Sequence, residues 1–309
     1  MRNLRLETAL VAAPAGAPDR AGAAAVRVTL RDGSHQGRGE ARPDSAAGET
    51  AIALQQTLDA LSAEVAGGLT REALQSRLPA GAARAALDCA FWDLDAKTAD
   101  KPVWQLAGLP APASVGMAAT IALADPARMA EAAKTAPGSL LKLDLGGPDD
   151  LAALKAVHQA RPEARFILDG QESLSAEAFA ALSKSAGKFG TVLIFQPFAP
   201  GKDSALMKRP GPVAVCAGRG ARTSGDIQAL ARSYDAVCVS VERAGGLTEA
   251  IAMAHAARRA GLGVMVKSSA ISALAAAPAI LLAGLAEAVC FDGPIPDAEN
   301  CPDGLPPWG

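Results

Sequence analysis

Ser139 to Gly147, SLLKLDLGG, sets a base and an acid two residues apart in an apolar run. Leu141, Leu143 and Leu145 alternate with Lys142 and Asp144, the period of a strand, so both charged side chains leave the same face. Other short apolar runs also end in groups that could do chemistry: Asp169 and Gln171, Gln196, Arg219, Glu242 and Arg243, Lys267 with Ser268 and Ser269, and Asp292. Carboxylates and lysines move protons, carboxylates hold hard cations, and arginines grip anions through two parallel N–H bonds. Strand ends are often polar because they meet solvent. Convergence of the whole set makes a ligand site the better reading.

The elements that must carry these residues follow from the pattern around them. From 113 onward, apolar runs at 114–121, 140–145, 165–169, 191–197, 213–218, 236–242, 263–268 and 288–292 recur at a spacing of about 25 residues, with amphipathic segments such as 126–135, 149–159, 175–186 and 247–260 between them. Runs apolar on both faces, each followed by a helix, make a parallel sheet. The spacing predicts a (β/α)8 or (β/α)7β TIM-type barrel over 109–292, with a short fourth helix near 202–208. An open doubly wound sheet is the alternative, but no GxGxxG follows a first strand. Residues 1–108 read differently: alternating strands at 4–12, 25–31 and 34–40, then helices at 50–66, 70–77 and 81–98, an α+β capping domain. The last of these helices reads as apolar on one face and charged on the other. The Pro- and Gly-rich tail, 293–309, is expected to return to the capping domain.

Composition narrows the functions. The 309 residues are 50% apolar and 4% aromatic with a net charge of −2, enough for a large core and without a basic run for nucleic acid or a membrane surface. Five cysteines lie apart inside apolar runs and read as reduced core residues of a cytoplasmic protein. Residues 8–18 lack the continuous apolar stretch of a secretory signal. Residues 270–285 are short for a membrane span and contain Pro278, so they read as a buried helix.

The frames around the strand ends resemble the enolase superfamily, in particular the mandelate racemase/muconate lactonizing group and its dipeptide epimerases. The resemblance rests on ALDCAFWDLDAKTADKPVWQLAG (86–108), TIALADPARMAEAA (120–133), ERAGGLTEAIAMA (242–254) and CFDGP (290–294). It implies abstraction of the proton α to a carboxylate, with Mg²⁺ on three strand-end carboxylates and two lysines acting from opposite faces. Position by position, Asp169 is the one retained metal ligand, while Phe195 and Gly218 stand at the other two. The KxK motif of the second barrel strand is Lys142-Leu143-Asp144, and Arg243 replaces the lysine of the sixth strand. Of the eighth-strand DxD, Asp292 remains beside Cys290.

These departures lead to the expectation of a divergent relative without the two-lysine machinery, needing no cofactor, with a pocket for a small anionic or carboxylate ligand. Asp144, Lys142 and Arg243 are the candidate catalytic residues, and Arg219, Lys267, Asp292 and Gln196 the candidate ligand contacts. Three readings follow: an ion-pair network filling the site, an isomerase or lyase using Asp144 as base, or a ligand-binding protein. The resemblance also implies a homo-oligomer.

Overall fold

The computed structural model describes residues 4–12, 24–112, 117–208, 211–269 and 272–291. The chain starts with three antiparallel strands, β1 (Arg5–Ala12), β2 (Ala24–Asp32) and β3 (His35–Ala41), in that order across the sheet. Helices α1 (Ala51–Asp59), α2 (Ser62–Ala66), α3 (Arg71–Arg77) and α4 (Ala82–Ala99) pack against it. Thr50 and Thr70 cap α1 and α3, their hydroxyls accepting from Ala53 N and Ala73 N. The sequence pattern gave one helix over 50–66; the chain instead turns at Ala60 and Leu61, keeping Leu54, Leu58, Leu61 and Val65 in one core.

After the short helix α5 (Val103–Leu106), eight parallel strands close a barrel: β4 (Met117–Ile121), β5 (Leu140–Asp144), β6 (Arg165–Asp169), β7 (Thr191–Phe195), β8 (Ala214–Ala217), β9 (Ala236–Val239), β10 (Gly263–Ser268) and β11 (Ala288–Phe291). The outer layer holds α6 (Pro126–Thr135), α7 (Asp150–Ala160), α8 (Ala176–Ser185), α9 (Ile227–Leu230), α10 (Val241–Ala244), α11 (Leu247–Arg259) and α12 (Ala273–Leu281). Between β7 and β8 there is a single 3-10 turn, Ser204–Lys208, as its short segment predicts. Asp125 before Pro126 starts α6: its carboxylate accepts from Arg128 N, and proline suits the first helical turn. The stretch read as too short for a span is α12, which contains Pro278; among the described residues no helix is long and apolar enough to cross a membrane.

Strand periodicity sorts the core into two. Leu141, Leu143 and Leu145 face outward into the layer shared with the helices. Ala118, Ile167, Phe195, Cys216, Ala236, Cys238, Met265 and Cys290 fill the barrel interior. Burial pushes the Cys216 thiol well above its usual pKa, which suits packing rather than nucleophilic use. The described cysteines are all buried, while Cys301 and the 293–309 tail lie outside the described residues.

The charged side of α4 is only partly open to solvent: Lys97 is exposed, while Arg84 and Asp88 are buried. Gly37 and Gly39 of β3 leave no room for a Cβ against the backbone of Ala86 and Ala90, so sheet and helix meet backbone to backbone. The opposite side of α4 meets the barrel, which buries Arg84 and Asp88 one turn apart. Arg84 donates to the carbonyls of Gly245 (3.0 Å) and Ala244 (2.6 Å). Asp88 accepts from Thr248 N at 3.0 Å and Gln75 Nε2 at 2.8 Å, and Trp92 Nε1 donates to Thr248 Oγ1 at 2.9 Å. Gly245 and Gly246, at φ 83° and 123°, press on Arg84 and Asp88, so the turn needs glycine twice over.

Burial raises the pKa of Asp88 above the ordinary carboxylate value, although its bonds from Thr248 and the Arg71 charge pull the other way. As pH rises, the unfolded chain therefore loses this proton before the folded one. The group's contribution to stability is complete below the unfolded pKa and declines as pH climbs through the folded pKa. Asp88→Asn has no proton to lose. In urea titrations, the wild type is expected to lose stability relative to Asp88→Asn as pH is raised from about 4.

Candidate active site

The ends of β5 and β6 bring together the two carboxylates singled out in the sequence. The parallel register sets Asp144 beside Asp169. Lys142, one pleat below Asp144, is buried with 2% exposure and sends its ammonium up between them. Its Nζ lies 2.7 Å from Asp144 Oδ1 and 3.1 Å from Asp169 Oδ2. From β10, Lys267 Nζ reaches Asp169 Oδ2 at 3.6 Å, and the same ammonium lies 5.3 Å from the centre of the Phe195 ring. The other oxygen of Asp169 accepts from Gln171 N at 3.1 Å. Two facing carboxylates would repel; the ammonium between them makes the pair tenable away from water.

At the ends of β7 and β8, Gly218 lies directly against the carboxamide of Gln196, whose Oε1 and Cδ occupy the space of a Cβ. Gln196 is 7% exposed and turns its Nε2 to Glu172 Oε1. Arg219 Nε lies 3.5 Å from the same Glu172 oxygen. Glu172 did not stand out in the sequence. The signal for it is the turn after β6, where Gln171 and Glu172 both take positive φ (46° and 65°), as does Gln196 (46°). Strained non-glycine backbone of this kind gathers at functional sites. A cavity of about 210 Å³ opens here, lined among others by Gln196, Asp203, Gly218, Arg219 and Tyr234. Burial and the neighbouring Asp203 push the Tyr234 hydroxyl above its usual pKa.

On the far side of the mouth, Glu242 is buried and accepts from Ser240 Oγ at 2.8 Å and Ser268 Oγ at 3.0 Å. Ser240 was not singled out in the sequence; its hydroxyl donates to Glu242 two residues on, and that carboxylate also holds Ser268 of β10. Arg243, on the one-turn helix α10, directs Nη2 to Cys238 Sγ at 3.9 Å. Asp292 lies outside the described residues. Among the described residues, no group of three or more His, Cys, Asp or Glu side chains is placed to hold a metal. Phe195 and Gly218 bring no side-chain oxygen to the site.

The chain matches the model of the mandelate racemase/muconate lactonizing enzyme N-terminal domain over residues 12–108 and that of the enolase C-terminal domain-like family over 125–297. It is 34% identical over 278 residues to an L-Ala-D/L-Glu epimerase of Escherichia coli (strain K12), covering 89% of this chain and 87% of that one. It is 36% identical over 224 residues to an N-acetyl-D-glutamate racemase of a Pseudoalteromonas species, covering 72% and 70%. A solved enolase family member from Agrobacterium tumefaciens, with homology to dipeptide epimerases, superposes with a TM-score of 0.85 at 38% identity, covering 95% and 92%; it holds sodium and L-Ala-L-Glu.

That bound sodium corrects the expectation that no cofactor is needed. The expectation was drawn from lost carboxylates alone. A hard cation also takes oxygens from backbone carbonyls, water and the substrate, so a count of acidic side chains does not decide the matter.

Restoring an acid at Gly218 forces Gln196 out of its place. Gly218→Asp is expected to destabilise the fold by about 1–3 kcal/mol, the range for overpacking. Trimming the obstruction in Gly218→Asp/Gln196→Ala should recover most of that loss, as measured by chemical denaturation.

Proposed function

The chain belongs to the mandelate racemase/muconate lactonizing group of the enolase superfamily, and from that premise we propose that it binds a small N-acylated amino acid of the glutamate type at the barrel mouth without inverting it. The ligand class follows from its relatives: L-Ala-D/L-Glu, N-acetyl-D-glutamate and L-Ala-L-Glu are all N-acylated glutamates. One observation carries the rest. Where the family resemblance implies the second lysine of the KxK motif stands Asp144, and it is ion-paired to Lys142 at 2.7 Å.

Inversion at a carbon acid needs a base on one face and an acid on the other, together with positive charge for the developing dianion. An ammonium donating to two carboxylates has no lone pair with which to take a proton. On the opposite side stands Arg243, which stays protonated at neutral pH. Lys142 and Lys267 are paired with Asp144 and Asp169, and Arg243 adds a further positive charge, so the site keeps the means to hold a carboxylate while the pair of exchangeable amine bases is gone.

A second reading is favoured by the exposure of Asp144. Its side chain is 18% exposed against 5% for Asp169, which makes it the carboxylate that can meet a substrate Cα–H. A single base would remove and return the proton on one face only. L-Ala-L-Glu incubated in D2O, with Mg²⁺ and separately with Na⁺, separates these outcomes. Binding without loss of the glutamate α-proton signal is expected. Exchange with retained L configuration, abolished by Asp144→Asn, would establish the one-base reading. Accumulation of L-Ala-D-Glu in either salt would overturn both.

A further inference from the structure

Arginine side chains in this protein use one edge repeatedly. Arg77 sets Nε and Nη2 on the two carboxylate oxygens of Glu64 at 2.7 and 2.6 Å. Arg27 sets the same two nitrogens on Glu40 at 2.9 and 2.7 Å. Arg84 sets them on two backbone carbonyls at 3.0 and 2.6 Å. Arg243 departs from this. Its Nε is buried and has no hydrogen-bond partner among the described residues. Among the described residues its Nη2 meets a sulfur, Cys238 Sγ, at 3.9 Å, and a thiol is a weak acceptor.

A buried donor left unmet costs about 1–3 kcal/mol, and more when it carries charge. Among the described residues, the acids around the mouth are engaged elsewhere. Glu242, the adjacent residue, holds the hydroxyls of Ser240 and Ser268. Asp169 holds Lys142 and Lys267, and Glu172 lies with Gln196 and Arg219. The backbone that carries Arg243 is fixed from outside the barrel. Arg84 and Asp88 of α4 bond to Ala244, Gly245 and Thr248, the residues that follow it. A charged fork with an empty edge, on a backbone fixed at its following turn, is a receptor formed before its ligand arrives.

We infer that the Nε/Nη2 edge of Arg243 is the carboxylate receptor of this site, taking one carboxylate of the N-acylated glutamate ligand through two parallel hydrogen bonds. The inference rests on the ligand class proposed above. Lysine would keep the charge but not the planar fork.

Calorimetric titration with L-Ala-L-Glu and N-acetyl-L-glutamate, in Mg²⁺ and in Na⁺, tests it on the wild type, Arg243→Lys and Arg243→Gln. Arg243→Lys is expected to bind at least about tenfold more weakly, and Arg243→Gln more weakly still. In ¹⁵N–¹H spectra of the wild type, the Arg243 Nε–H signal is expected to shift downfield on addition of ligand. That readout needs no variant to fold and does not respond to a purely structural role. A wild type that binds while its Nε–H signal stays in place, or an Arg243→Lys variant that binds equally well, would overturn the receptor and leave the ligand class standing. A wild type that binds neither probe would overturn both.

Discussion

The ammonium of Lys142 between Asp144 and Asp169 is the constraint on which the barrel mouth depends. Parallel pairing of β5 with β6 fixes the two acids side by side, and no adjustment of the strands separates them without breaking the ladder. Away from water, two facing carboxylates need a cation between them, and a buried ammonium needs the carboxylates in return. Lys142 comes from the same strand as Asp144, so the match is built into a three-residue stretch. Lys267 adds a second positive charge from β10, opposite in the barrel wall, and rests near the Phe195 ring. The site is thereby tied together across strands that share no direct pairing.

The capping unit reaches the same place by a different route. Its sheet meets α4 through two glycines, and α4 in turn holds the turn after α10 by hydrogen bonds from Arg84 and to Asp88. Packing of the first hundred residues therefore decides where Arg243 stands. Gln196, lodged against Gly218 and bonded to Glu172, does the equivalent on the β7–β8 side. Asp144 is matched in this way by Lys142, and Gly218 by Gln196.

The barrel and the positions of Lys142, Asp144 and Asp169 were legible in the sequence because strand period and strand-end polarity are local signals. The α6 segment was readable to the residue, since an aspartate and a proline mark its start. The charged face read for α4 holds only in part: Lys97 is exposed, but Arg84 and Asp88, one turn apart, are covered by the barrel. Glu172 was not legible, because its partners Gln196 and Arg219 follow other strands. The cofactor expectation failed for a related reason. Absent side-chain ligands are visible in a sequence, whereas backbone and substrate oxygens are not.

The central claim is that Lys142 and Asp144 form one unit that commits the ammonium to an ion pair. A double-mutant cycle with Lys142→Met and Asp144→Leu, read by urea denaturation at neutral pH, tests it directly. Breaking a buried pair from one side costs about 3–5 kcal/mol, because the partner is left charged and alone. Lys142→Met is expected to fall in that range, and the double variant to lose less than the sum of the single losses by about 2 kcal/mol. Single losses that add to within about 0.5 kcal/mol would show that the two side chains act independently, and would contradict the account.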